Sequence, residues 1–157
     1  MFTYFALKYL HILGAAMLLG TGAGIAFFML LAHRTGDAAI VAGVARIVVI
    51  ADFAFTATAV VAQPVTGLLL TWTVGYSVFD GWILLSVLLY LVTGLFWLPV
   101  VWMQMRMRDL AVAAARECRP LPPDYHRLFR LWFACGFPAF AAVLAIFWLM
   151  IARPQFG

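Results

Sequence analysis

One histidine stands inside a long apolar run. The segment Leu7–His33 reads LKYLHILGAAMLLGTGAGIAFFMLLAH, and His11 is the titratable nitrogen inside it, between Lys8 and His33 at its ends. Ionisable side chains inside membrane spans face protein interiors and mark functional positions by default. Neutral imidazole suits three roles here. It can be hydrogen-bonded to a polar residue of another helix, with Gln63, Ser86 or Tyr90 as candidates. It can be an axial ligand to haem iron, with Gly14 and Gly22 leaving room for a flat macrocycle. It can be a proton relay or a substrate contact.

Helical rise limits which partners His11 can meet. At about 1.5 Å per residue, His33 lies about 33 Å away along the same helix. A bis-histidine site within one copy is therefore excluded by length. His126 falls in a basic connection and reads as a loop or cap residue. Gln63, Thr66, Ser86, Tyr90 and Met150 all fall at a depth comparable with His11. The candidate cofactor site is thus His11, Gly14, Gly22, Gln63, Tyr90 and Met150, with haem b as the cofactor and His11 (alone, or paired with Met150) on its iron. No second nitrogen or carboxylate at that depth suggests a non-haem metal. Phosphate-binding glycine loops, nucleophile elbows and Cys-x-x-Cys pairs are missing.

The elements that must position these groups follow from composition. The chain has 157 residues, 67% hydrophobic and 10% charged. Soluble domains carry about 25% charged residues, so a water-soluble fold is excluded. Four runs are long enough to cross a bilayer core: roughly 4–31, 47–73, 82–105 and 131–152. Helices satisfy their backbone within lipid, and no alternating barrel pattern is present. The expected fold is all-α, a single transmembrane domain over 1–157 built as an up-down four-helix bundle. Its first run is too long and too weakly basic at its start for a signal peptide.

Charge sets the expected orientation. Arg34 and Arg46 lie between the first two runs; Arg106, Arg108, Arg116, Arg119, Arg127 and Arg130 lie between the last two. Lys8 and Arg153 are the basic residues at the other end. The positive-inside rule then puts the basic connection 106–130 in the cytoplasm and both termini outside. The net charge of +4 is accounted for by orientation rather than by a nucleic-acid partner. The partners expected are the bilayer itself, that of a bacterial inner membrane, and further copies of the chain. Cys118 and Cys135 read as free thiols.

Several residues carry more specific expectations. Ala16, Gly20 and Gly24 form a small-residue ridge nearly opposite His11, so both sides of the first helix are expected to pack against protein. Pro64, Pro99 and Pro138 are expected to bend their helices and shape a polar cavity. Asp52 lies six residues after Arg46, poor spacing for a helical pair, and is expected to meet an arginine from another helix end. Asp124, behind two prolines, is expected to cap the fourth helix.

The motif Lys8-Tyr9-Leu10-His11-Ile12, the glycine-rich remainder of the first helix, and the ending Trp132…Gly136-Phe137-Pro138-Ala139-Phe140…Phe147-Trp148-Leu149-Met150 resemble a family of small bacterial integral membrane proteins of unknown function. That family is described as a predicted four-helix membrane domain. More distantly, the first three helices are similar to HemJ-type protoporphyrinogen oxidases and CopD-type copper-resistance membrane domains. The HemJ resemblance implies a haem-binding role for His11. In that family the third helix opens Gly-Trp followed by a histidine and a lysine. Here Gly81-Trp82 is followed by Ile83, Leu84, Leu85 and Ser86, so oxidase chemistry does not carry over. The function expected is a membrane protein that binds haem b and takes part in redox chemistry. The alternative is a non-catalytic transporter-like, accessory, lipid-binding or quinone-binding protein with a polar outer-leaflet cavity.

Overall fold

The computed structural model describes residues 1–155. Helix α1 spans Phe2–Thr35, α3 spans Gly81–Arg116 and α4 spans Pro123–Ala152. Helix α2 runs from Ala38 to Val74 and contains one π-helical turn at Asp52–Thr56. All four are long and apolar enough to cross a membrane. The protein is an all-α, multi-pass integral membrane protein. Large apolar side chains such as Phe27, Ile47, Leu95 and Ile151 point outward, as a surface solvated by lipid tails requires.

The helices outrun the apolar segments expected from sequence. At about 1.5 Å per residue, α1 is about 51 Å long against a hydrocarbon core of about 30 Å. The surplus lies mostly at the arginine-rich end. There α3 continues to Arg116 and α4 begins at Pro123, so the basic connection contracts to Glu117–Pro122. Pro123 takes the first turn of α4, where its missing N–H costs nothing. Pro122 occupies the cap position and makes no side-chain cap bond; Asp124 lies inside the first turn rather than capping it. The α1–α2 turn behaves conventionally. Gly36 takes the left-handed conformation at φ 68°, and Asp37 accepts from the backbone N–H groups of Ala39 and Ile40 at 2.7 and 3.2 Å.

Neighbours in sequence are neighbours in space: α1 packs on α2, α2 on α3 and α3 on α4, while α1 and α4 touch only sparingly. Packing is uneven along the axis. The arginine-rich end holds a continuous core around Met29, Val41, Met107, Tyr125, Phe129 and Trp132. In this half, α2 packs on both α1 and α3. Past the π turn, the second half of α2 keeps α1 but loses most of its contact with α3. The π turn is thus where the bundle begins to open. The ridge expected to pack is open as well: Ala16 and Gly20 are exposed, because α1 turns its opposite side to α2.

Candidate functional site

His11 is built into the seam between α1 and α2. Its ring lies on Gly67, where an added Cβ would come within 3.1 Å of His11 Cε1. Thr66 donates its hydroxyl proton to the carbonyl of Ala62 at 2.8 Å. Its oxygen therefore accepts from His11 Nδ1, at 2.9 Å. Gln63 donates from Nε2 to the His11 carbonyl at 2.8 Å, reaching across the notch at Gly14. A Cβ on Gly14 would collide with that same nitrogen. Two glycines, one on each helix, thus admit the two polar side chains that clasp the helices together. The partner of His11 is Thr66, not Gln63's side chain, Ser86 or Tyr90; Ser86 turns back to the carbonyl of Trp82 at 2.7 Å.

Tyr90 is committed elsewhere. Pro64 has no N–H, so the carbonyl of Val60 one turn earlier loses its helical donor. The Tyr90 hydroxyl donates to that carbonyl. A proline in α2 and a tyrosine in α3 are therefore one unit, and Tyr90 supplies a contact that spans the opening between these helices.

The opening itself is a cavity of about 400 Å³. All four helices line it: Leu18 and Gly22 from α1, Thr56 from α2, Trp97 from α3, Phe133 and Phe140 from α4. It lies against the sparse α1–α4 contact, and its walls are overwhelmingly apolar. Small-molecule sites commonly occupy about 300–1,000 Å³ with a few polar groups on an apolar wall.

Those polar groups gather at the end nearer the arginine-rich core. Asp52, from the π turn, is 4% exposed. It meets no arginine: its partner is the Trp97 indole, at a long 3.5 Å. Gln104 Oε1 and Trp132 Nε1, on the same wall, are buried without a hydrogen-bond partner among the described residues, and the Thr56 hydroxyl has no partner besides Asp52 itself. All four residues line the cavity. Buried polar atoms in native proteins are nearly always paired, so unpaired ones that share a cavity with a buried carboxylate mark a place built to meet something. Two further unpaired atoms, His33 Nδ1 and Tyr125 Oη, belong to an aromatic stack outside the cavity, where His33 lies flat on Phe129 with ring centroids 3.7 Å apart.

The residues expected to form one site divide into two. His11, Gly14 and Gln63 meet in the α1–α2 seam. Gly22, Gln63 and Tyr90 line the cavity, while Met150 lies outside its wall. Gln63 alone belongs to both. The cavity's carboxylate, Asp52, and its companions Thr56, Gln104 and Trp132 were not singled out as a site by spacing. The signal available was an acidic residue inside an apolar run with no basic partner at helical spacing. Among the described residues, no group of three His, Cys, Asp or Glu side chains converges as a metal site would require.

Residues 5–154 match the family described as predicted integral membrane protein (DUF2269). The chain belongs to that family. The match covers nearly its whole length, so α1–α4 together form the family's unit. No curated protein and no solved structure matches this family member.

Proposed function

We propose that this family member resides in the bacterial inner membrane and binds a small amphiphile, lipid-like or quinone-like in build, in the cavity between its helices. The single observation that carries this reading is the cavity's composition: apolar walls from all four helices, with the unpaired polar atoms confined to one end. A ligand with an apolar body and a polar head matches that division. The sparse α1–α4 contact offers a route from the bilayer. The arginine-rich end faces the cytoplasm by the positive-inside rule. A cysteine at Ser77, in a Cys118→Ser/Cys135→Ser background, then reacts with an impermeant reagent added outside cells; protection there reverses the orientation.

Gly94 supplies the test of binding. It lines the cavity, and a Cβ added to it would meet nothing within 4 Å. A side chain at this position starts in open space on the cavity wall, and Gly94→Phe is the variant chosen to obstruct the cavity. Solvent extracts of the purified protein, analysed by mass spectrometry, are expected to contain a compound at near-stoichiometric amount in the wild type and to lack it in Gly94→Phe. Identical extracts would overturn the reading.

Haem b at His11 is the second reading. What favours it is the hydrogen bond from Nδ1 to Thr66, which leaves Nε2 as the nitrogen with a free lone pair; iron-ligating histidines commonly donate their other N–H in this way. Within one copy the fit is poor. Gln63 fills the notch at Gly14, and the open face at Gly22 lies about 16 Å along α1 from His11. A haem here would need a second copy of the chain, as in a homo-oligomer. A Soret band that disappears in His11→Ala supports this reading, and a colourless protein from haem-replete cells removes it.

A further inference from the structure

Asp52 lacks a counter-charge. Of the residues lining the cavity, only Asp52 and Tyr90 can titrate, and the Tyr90 hydroxyl is taken by Val60. No lysine, arginine or histidine of α1, α2, α3 or α4 forms part of that wall. The ion pairs among the described residues, Arg108–Asp109 and Arg119–Glu117, do not involve Asp52. A carboxylate removed from water is costly unless it is paired and hydrogen-bonded; the donors within reach of Asp52 are the Thr56 hydroxyl one turn on and the Trp97 indole at a long 3.5 Å, both neutral. On the same cavity wall, two turns of α3 from Trp97, is Gln104 Oε1, a second acceptor without a donor, 3% exposed as a residue.

The surrounding side chains add a second preference. Trp97 reaches Asp52 itself, and Trp132 and Phe133 line the same cavity. Aromatic rings attract cations through their quadrupoles, most strongly where water is excluded. An anionic head would face Asp52 unshielded. A neutral head could take a hydrogen bond from Trp132 but would leave the carboxylate uncompensated.

We propose that this end of the cavity is the head-group site for a lipophilic organic cation, an amine or onium centre carried on an apolar body, with Asp52 as its counter-ion. Gln104 accepts from the cation's N–H where it has one, and the aromatic walls flank the charge. This rests on the cavity reading above and names the class of ligand.

Two ions of one shape and opposite charge test it: tetraphenylphosphonium and tetraphenylborate. The full-length protein is placed in nanodiscs, and binding is measured as the excess over protein-free nanodiscs. The phosphonium is expected to bind saturably and the borate at least about tenfold more weakly. Asp52→Asn is expected to weaken phosphonium binding at least about tenfold and erase the preference, while Asp52→Glu keeps it. Equal binding of the two ions by the wild type overturns the proposal, as does a preference that survives Asp52→Asn. The comparison on the wild type decides the matter even if Asp52→Asn does not fold. If neither ion binds while Gly94→Phe still loses an extracted compound, the cation proposal fails and the cavity reading stands. If Gly94→Phe changes neither extract nor ion binding, both fail.

Discussion

His11 and Asp52 are both titratable residues within long apolar helices, and their surroundings are opposite. Around His11 the groups that cross the seam are paired: Thr66 accepts its ring N–H, Gln63 Nε2 donates to its carbonyl, and glycines on both helices make room. In the cavity that Asp52 lines, Gln104 Oε1 and Trp132 Nε1 are buried and unpaired, and the Thr56 hydroxyl has no partner but Asp52. A satisfied polar cluster holds two helices in register, because any slip would leave its members without partners in lipid. An unsatisfied one costs stability and persists where something else repays it. The presence of a titratable group in a membrane is thus a weaker indicator of function than the state of its neighbours.

The sharpest way to break the contrast is to destroy the His11 clasp sterically. Gly14→Leu places a branched side chain where Gln63 Nε2 now sits. Overpacking of this kind costs about 1–3 kcal/mol, and the loss of the Gln63 bond adds to it. The variant is expected to unfold several degrees earlier in detergent than the wild type. An unchanged melting curve would mean that α1 and α2 do not meet at this notch.

Next in size is the pair Pro64 and Tyr90. Tyr90→Phe leaves the Val60 carbonyl without a donor, a cost of about 1–2 kcal/mol. In a Pro64→Ala background the backbone N–H of Ala supplies that donor. The same Tyr90→Phe change is then expected to cost less than half as much, and equal costs in both backgrounds would separate Tyr90 from Pro64. This cycle distinguishes a wall residue that repairs a helix from one that holds a ligand.

Much of the architecture was legible in the chain because a bilayer leaves so few solutions. Four apolar runs of spanning length, joined by short connections, dictate an up-down bundle, and that is the fold. The ends were less legible. Arg106–Arg116 lies past the apolar run, yet its helix formers Ala, Met and Arg need no lipid to stay helical, and it continues α3 as that composition suggests. Hydrophobicity marks the membrane, not the helix boundary. The site was half legible. Gly14, His11 and Gln63 meet at one notch, but spacing along a helix says nothing about which face meets which neighbour, so it could not show that Gln63 takes the His11 carbonyl and Thr66 the ring. The π turn at Asp52–Thr56 carries neither proline nor glycine. Nothing in its composition announces the turn that carries Asp52 and Thr56 to the cavity and marks where the bundle opens.

The two sites should also respond to apolar replacement with opposite signs. Asp52→Leu removes a buried carboxylate that has no cationic partner, and replacing such groups by apolar residues is often neutral or stabilising. The expected result is a melting temperature equal to or above that of the wild type, a gain of about 1 kcal/mol, together with loss of phosphonium binding. Stability and binding would then pull apart at Asp52, as they do where a protein keeps a costly group for use. A fall in stability larger than that of Tyr90→Phe would instead make Asp52 a structural residue.

At the seam the corresponding change is small but should run the other way. Thr66→Val keeps the shape of the side chain and removes the oxygen that accepts from His11 Nδ1. Hydrogen bonds between membrane helices average about 0.6 kcal/mol, because the separated helices find other partners. A loss of that order is expected, and phosphonium binding should be untouched, since neither Thr66 nor His11 lines the cavity. His11→Leu tests the same bond from the other side. The double variant should cost no more than the larger of the two single ones, because each already removes the shared bond. Additive losses would mean that His11 has a second partner, through Nε2, and would return the weight of the functional reading to the α1–α2 seam.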